Sequence, residues 1–491
     1  MVRAIGFAGI GMLFLMSIGC AAATDTGESV DATAAETPAE TPIVFEASSG
    51  KAANAFAGTF RVPENHDDPE SRTLTLHYVR FPATGENPGA PIVYLAGGPG
   101  GSGIATAKWR RFPLFMAMRE FGDVIALDQR GTGASNDLLK CTSPIEADEA
   151  KPLTDDAYIE RHQRALKWCL NHWRAQSFDL EGYTTVQSVA DLKALRTHLG
   201  AEKLTLWGTS YGSHLALAAV KEMGDEINRL VLSSVEGLDQ TIKRPARTDA
   251  YFARLQAAID KDPALRETYP DIVALMERVH DALDKSPIRV SLNLRNGEEA
   301  DILIQSRTLR RYMSGLISDP RSALQMLAVY EGLDNEDTGP VVSLMERWHE
   351  PEDTISFRLM PTVMDVASGI TARRRLQIER EAKTAVLRSF LNFTLHYFDV
   401  APELDLGDGF RKKPASDIPL LVLSGTLDGR TYLKSQREAT SGFSNRQSVI
   451  VENAGHNLFM ASPDITKTIE DFMRGDNVDG RGIAIDFPGE R

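Results

Sequence analysis

The stretch Leu204–Val220, "LTLWGTSYGSHLALAAV", decides how this chain is read. "KLTLW" is a short, mostly apolar run of the kind that forms a buried strand, and "HLALAAVKEM" repeats apolar residues at helical spacing. Between them stands Gly208-Thr209-Ser210-Tyr211-Gly212, a G-x-S-x-G pattern. Small residues beside the serine permit a sharp strand-to-helix turn that exposes its hydroxyl. Five loosely specified positions recur by chance, and the plain alternative is a turn that happens to hold a polar residue. The flanking strand and helix favour the first reading, and the rest of the chain tests it.

Working outward, "PIVYLAGG", "DVIALDQRG", "LVLSSVEG", "PLLVLSGTLDG" and "SVIVENAGH" are short apolar runs, which suit parallel strands covered on both faces. Helical stretches such as "SVADLKALRTHLG" lie between several of them, so the fold class is α/β with a mostly parallel central sheet. Each run ends in Gly, Asp, Glu or His, and such sheets place their chemistry at the carboxyl ends of the strands. From about Gln240 to Phe410 the rhythm changes to helical segments, with a hairpin turning at Asn296-Gly297. The pattern predicts a mainly helical cap over 241–410, inserted between late strands above their carboxyl ends. Residues 51–240 and 411–491 then form the sheet domain.

A serine hydroxyl is a poor nucleophile until a base takes its proton, and that base needs an orienting carboxylate. In this chain order the acid follows the serine and the histidine comes last. Asp428 stands just past "LLVLSG" and His456 just past "SVIVENAG", at the same sheet edge as Ser210. Order and placement agree, so Ser210, Asp428 and His456 are the candidate triad; ordinary loop residues are the alternative. His214, one helical turn beyond Ser210, reads as a packing residue. Asp128 reads as a structural loop carboxylate tied to Arg130. A tetrahedral oxyanion needs two backbone N–H donors, expected from Tyr211 and from Gly98 in "LAGGPGGSG". That glycine turn lacks the spacing of a phosphate loop. No H-E-x-x-H or ligand-spaced cysteine and histidine cluster occurs, so no metal or other cofactor is expected.

Hydrophobic content of 42% and charged content of 25% are ordinary globular values. A net charge of −14, from 54 basic and 68 acidic residues, argues against a nucleic-acid partner, which requires a basic face. At the N-terminus, Arg3 precedes the apolar run "AIGFAGIGMLFLMSIG", short for a membrane span and suited to a secretory signal. Two cleavage readings stand: a signal peptide over 1–23, or a lipoprotein signal cut before Cys20, whose lipid would be the chain's membrane contact. Residues 24–50, rich in Ala, Thr, Glu and Pro, read as a disordered tether. The three cysteines are Cys20, Cys141 and Cys169. With Cys20 removed or acylated, a pair remains that is either a disulfide or two buried thiols.

Taken as a set, "GGPGGSG", "DQRGTGAS", "YTTVQSVADLKALRTHLG", "LTLWGTSYGSHLAL", "SGTLDGRT" and "NAGH" resemble the exported tripeptidyl-aminopeptidase and proline-iminopeptidase branch of the α/β-hydrolases. The resemblance covers about residues 58–240 and 415–470. It implies an α/β-hydrolase fold, a triad at Ser210, Asp428 and His456, and an oxyanion loop at Gly97-Gly98-Pro99-Gly100. It also implies a Cys141–Cys169 disulfide, export to the periplasm or cell envelope, and removal of short segments from the free amino end of peptides. Such enzymes need an acidic group for the substrate ammonium, and Glu236 is the matching candidate; an ordinary loop carboxylate is the other reading of it. An esterase or other small-acyl hydrolase of the same fold is the competing function. A binding protein without turnover is a third, disfavoured by the complete triad.

Overall fold

The computed structural model describes residues 40–135, 140–294, 297–348 and 354–488. Its strands are β1 (Thr41–Glu46), β2 (Ala52–Pro63), β3 (Thr73–Phe81), β4 (Ile92–Leu95), β5 (Val124–Leu127), β6 (Lys140–Glu146) and β7 (Leu204–Ser210). They continue with β8 (Ile227–Val235), β9 (Ile288–Asn293), β10 (Glu299–Ile304), β11 (Thr354–Arg358), β12 (Leu420–Gly425), β13 (Arg446–Glu452) and β14 (Gly482–Ala484). Ten of them make one sheet in the order β1-β2-β3-β5-β4-β7-β8-β12-β13-β14. Pairings from β1 to β5 are antiparallel, and those from β5 through β14 are parallel.

Both faces of the parallel half are buried, which is why its strands read as continuous apolar runs. Leu204, Leu206, Leu230, Leu232, Leu420 and Val422 enter one core. Trp207, Val231, Leu421, Leu423, Val449 and Val451, their neighbours along the strands, enter the other. Burying such a side chain contributes on the order of 1.5–3 kcal/mol, so the sheet is a stiff platform for the loops at its rim.

The tether expected over 24–50 extends too far. Within it, Thr41–Glu46 pairs with β2 as an edge strand. Phe45 is the cause: it is 3% exposed and meets Phe81 edge-on with ring centroids 5.0 Å apart. One buried aromatic outweighs the polar composition around it. The signal segment 1–23, Cys20 and the tether up to residue 39 lie outside the described residues. Among the described residues, no helix is long and apolar enough to cross a membrane.

Helices Pro245–Ile259, Ile272–Lys285, Ser306–Leu316, Pro320–Asp334 and Gly339–Trp348 follow β8 and, with the β9–β10 hairpin, bury an apolar cluster of their own. Asn296, expected in the hairpin turn, lies outside the described residues. The later part of 241–410 behaves differently. β11 pairs with β6, and the helix Leu359–Ser368 sends Leu359, Met360, Val363 and Met364 into the core of the sheet. The inserted segment thus supplies both a cap and a piece of the main core.

Candidate active site

Strand β7 ends on Ser210, and a helix begins at Tyr211. Ser210 has φ 53° and ψ −127°, a conformation that costs a non-glycine residue roughly 1–3 kcal/mol. It persists because its surroundings leave no alternative. A Cβ on Gly208 would lie 2.7 Å from the Gly212 carbonyl oxygen, and one on Gly212 would lie 2.0 Å from that of Leu95. The glycines of the motif are therefore demanded by contact between backbones. The Ser213 hydroxyl pins the turn, donating to the Ser210 carbonyl at 2.5 Å and accepting from the Glu236 N–H at 2.9 Å.

Asp428 and His456 meet at the same rim. His456 Nδ1 lies 3.0 Å and 3.1 Å from the two Asp428 carboxylate oxygens. Asp428 is fully buried, and its carboxylate also accepts the Arg430 and Thr431 N–H groups at 2.8 Å each and the Thr431 hydroxyl at 2.5 Å. Burial alone would raise its pKa, but His456 and these hydrogen bonds hold it below the ordinary value, so it stays an anion. The His456 backbone is fixed on both sides. Its N–H donates to the Ser318 carbonyl of the cap at 2.7 Å, and its carbonyl accepts the Ser234 hydroxyl at 2.7 Å.

Ser210 and His456 line one cavity of about 1460 Å3. Gly97, Gly98 and Thr209 lie on the same wall. Gly97 packs directly against the serine, for a Cβ there would come within 3.1 Å of the Ser210 Cβ. Gly98 has φ 130°, in the region that favours glycine, and faces the cavity. The Tyr211 N–H opens the helix Tyr211–Met223, where backbone donors have no partner within the helix. Of the two expected oxyanion donors, Tyr211 follows Ser210 directly and Gly98 lines the same cavity. The Tyr211 side chain is buried beside Thr185, its hydroxyl 3.2 Å away.

Glu236 follows β8, is buried, and lines the cavity, but it is not free. Its carboxylate is ion-paired with the buried Lys243 ammonium. Burial pushes its pKa up, and the Lys243 charge more than reverses this, leaving it lowered. Two further charges share this wall, Asp365 and Arg430. Burial, together with the repulsion of Glu236, pushes Asp365 up to about 7. Among the described residues Asp365 has no ion-pair partner. Lys243 and Asp365 were not singled out from the sequence. Lys243 gives no local signal, whereas Asp365 is the lone charge in the otherwise apolar helix "LMPTVMDVAS", and that isolation is a usable clue.

Other expected residues are placed as follows. Asp128 is a buried loop carboxylate, but Arg130 is not its partner. Asp128 accepts from the Ser102 hydroxyl at 2.5 Å and the Ala134 N–H at 2.9 Å, bracing the helix after the glycine turn. Arg130 instead grips Asp191 through Nε at 2.7 Å and a terminal nitrogen at 2.6 Å. His214 is buried, and desolvation lowers its pKa to about 4, so it is neutral. A disulfide joins Cys141 of β6 to Cys169 of the helix Asp155–Ala175.

The profile of the alpha/beta hydrolase fold family matches residues 90–463. Serine protease Hip1 of Mycobacterium tuberculosis is 32% identical over 185 residues, which are 36% of this chain and 35% of that protein. Tripeptidyl aminopeptidase of Streptomyces coelicolor is 28% identical over 230 residues, 44% of this chain and 39% of that protein. Proline iminopeptidase of Xanthomonas citri is 31% identical over 159 residues, 32% of this chain and 36% of that protein. The matches to these three curated relatives therefore span less than two fifths of each. Among solved structures, a proline iminopeptidase-related protein from Thermus thermophilus is similar over 85% of this chain and 97% of its own, at 18% identity and a TM-score of 0.39. With the family profile running from β4 past the histidine loop, and a mostly parallel sheet carrying a G-x-S-x-G turn at a strand end, the chain belongs to the α/β-hydrolase fold family.

Proposed function

We propose that this chain is an exported serine hydrolase that removes short segments from the free amino end of peptides through an acyl-enzyme on Ser210. The observation that carries the hydrolytic part is the His456–Asp428 pair sharing one cavity with a strained Ser210. His456 takes the Ser210 proton as the serine attacks the scissile carbonyl, and Asp428 stabilises the imidazolium. The Gly98 and Tyr211 N–H groups receive the oxyanion. His456 then gives its proton to the leaving amine, and water activated by the same imidazole releases the acyl segment.

The amino-end preference rests on the acidic wall. Glu236 is held by Lys243, so the carboxylate left to meet an ammonium is Asp365. A bound ammonium would favour the ionised form of Asp365. The disulfide supports export, since such bonds persist in oxidising compartments.

The experiment compares free-amine peptide anilides with their N-acetylated forms and with simple aryl esters. Free-amine substrates should lead by a factor of about ten or more, because acetylation leaves a desolvated carboxylate unpaired. Equal rates on free and blocked substrates would sink the aminopeptidase reading and leave the esterase alternative.

A further inference from the structure

The cavity has an electrostatic character opposite to that of the whole chain. The chain carries −14, yet seven basic and four acidic side chains line the cavity. Two of these cations are tied down by close partners, and so are two arginines beside Arg311 that do not line the cavity. Lys243 is paired with Glu236, and Arg430 donates to the Ser314 carbonyl at 2.6 Å. On the cap helix Ser306–Leu316, Arg307 lies 3.3 Å from Asp155 and Arg310 lies 3.8 Å from Asp284.

Arg311, next on that helix, differs from both. It is exposed and lines the cavity. Its guanidinium lies 4.8 Å from the Phe393 ring centroid and 5.4 Å from that of Tyr158. Among the described residues no hydrogen bond or close ion pair of its guanidinium is shown, although Glu149 is near enough to act on it electrostatically. Aromatic faces hold a guanidinium in place without using its N–H donors, so the planar fork stays available for a carboxylate.

The helix sets the backbone spacing between Arg311 and the reaction. Ser314, one turn further on, and Ser318, in the turn just past the helix end at Leu316, line the same cavity, and Ser318 holds the His456 N–H. Two helical turns advance about 10 Å, the reach of about three extended residues. We infer that Arg311 is a specificity-determining residue that binds a substrate carboxylate about three residues from the scissile carbonyl, so that acidic or carboxyl-terminated short peptides are the preferred substrates. This deepens the peptidase reading and rests on it. The carboxylate comes either from an acidic side chain or from a free carboxyl terminus.

The test uses the full chain and matched hexapeptides. One pair carries Glu against Gln at the third residue from the cleaved bond, on each side in turn. The other carries a free carboxyl terminus against a carboxamide. The wild type should favour a carboxylate form by about tenfold or more in kcat/KM, and the pair that responds names the source. That ratio should collapse in Arg311→Met and survive in part in Arg311→Lys. Equal rates across every wild-type pair, or a ratio unmoved by Arg311→Met, would overturn the inference. Should Arg311→Met fail to fold, Arg311→Gln and the wild-type ratios decide. If no peptide is cleaved, the peptidase reading falls separately. Calorimetric binding of the same pairs to Ser210→Ala then tests Arg311 without turnover, and equal Kd values within each pair would end it.

Discussion

The nucleophile turn and the charged lining of the cavity are held in place by different physical means. At the rim, position comes from backbone contact: Gly208 and Gly212 lie where any Cβ would strike a carbonyl, and Ser210 is forced into an unusual conformation. In the charged lining, position comes from charge: Lys243 against Glu236, with Asp365 near them, and Arg311 set between two rings. Backbone sterics tolerate almost no substitution, whereas a charge cluster can be re-paired by one change. Under the proposed function, the first region governs whether chemistry occurs, and the second governs which substrates reach it.

That division can be broken most sharply at Ser210. Ser210→Ala should lower kcat by up to about 10⁶-fold with unchanged thermal unfolding; residual turnover near the wild-type rate would remove the serine from the mechanism. Asp428→Asn should cost about 10⁴-fold in kcat, since the imidazole loses its orienting anion, and this is read from steady-state rates on one substrate. In the charged lining, Lys243→Met should act on stability first. It leaves Glu236 buried without its counter-charge, and denaturant unfolding should show a loss of about 3–5 kcal/mol. Asp365→Asn is the smaller change: kcat/KM on free-amine substrates should drop about tenfold, with aryl esters much less affected.

Asp365 also gives the comparison a pH signature. Its folded-state pKa is raised to about 7 by burial and by Glu236, although Lys243 and Arg430 oppose the shift. Between the ordinary carboxyl range near 4 and about 7, the folded chain holds a proton that the unfolded chain releases. Its stabilising effect is complete at low pH and declines as pH rises through that window. Asp365→Asn should therefore raise the melting temperature more at pH 8 than at pH 5; a shift of equal size at both values would contradict the raised pKa.

The rim was legible in sequence because each of its parts leaves a local mark. Gly208, Ser210 and Gly212 are close neighbours, and Asp428 and His456 each follow an apolar run that ends a strand. The charged lining was mostly not legible. Glu236 and Lys243 sit near one another in sequence, but Asp365 joins them only because the helix Leu359–Ser368 returns to the core of the sheet. Arg130 shows the same limit. Nearness to Asp128 suggested a pairing, while Asp191, on the helix Thr185–His198, is the partner brought close by folding. Phe45 erred in the other direction, a single buried ring inside a stretch whose average composition is polar.

The hydrogen bond from His456 to the Ser318 carbonyl also limits how this molecule can breathe. A second backbone bond, from Gly429 to Ile317 at 3.1 Å, stitches the acid loop to the same part of the cover. Swinging that cover away would drag the proton carrier and its anchor out of alignment. Trp109, 66% exposed, and Met460 line the cavity and meet solvent, so passage beside them would leave both bonds intact, a doorway rather than a hinge.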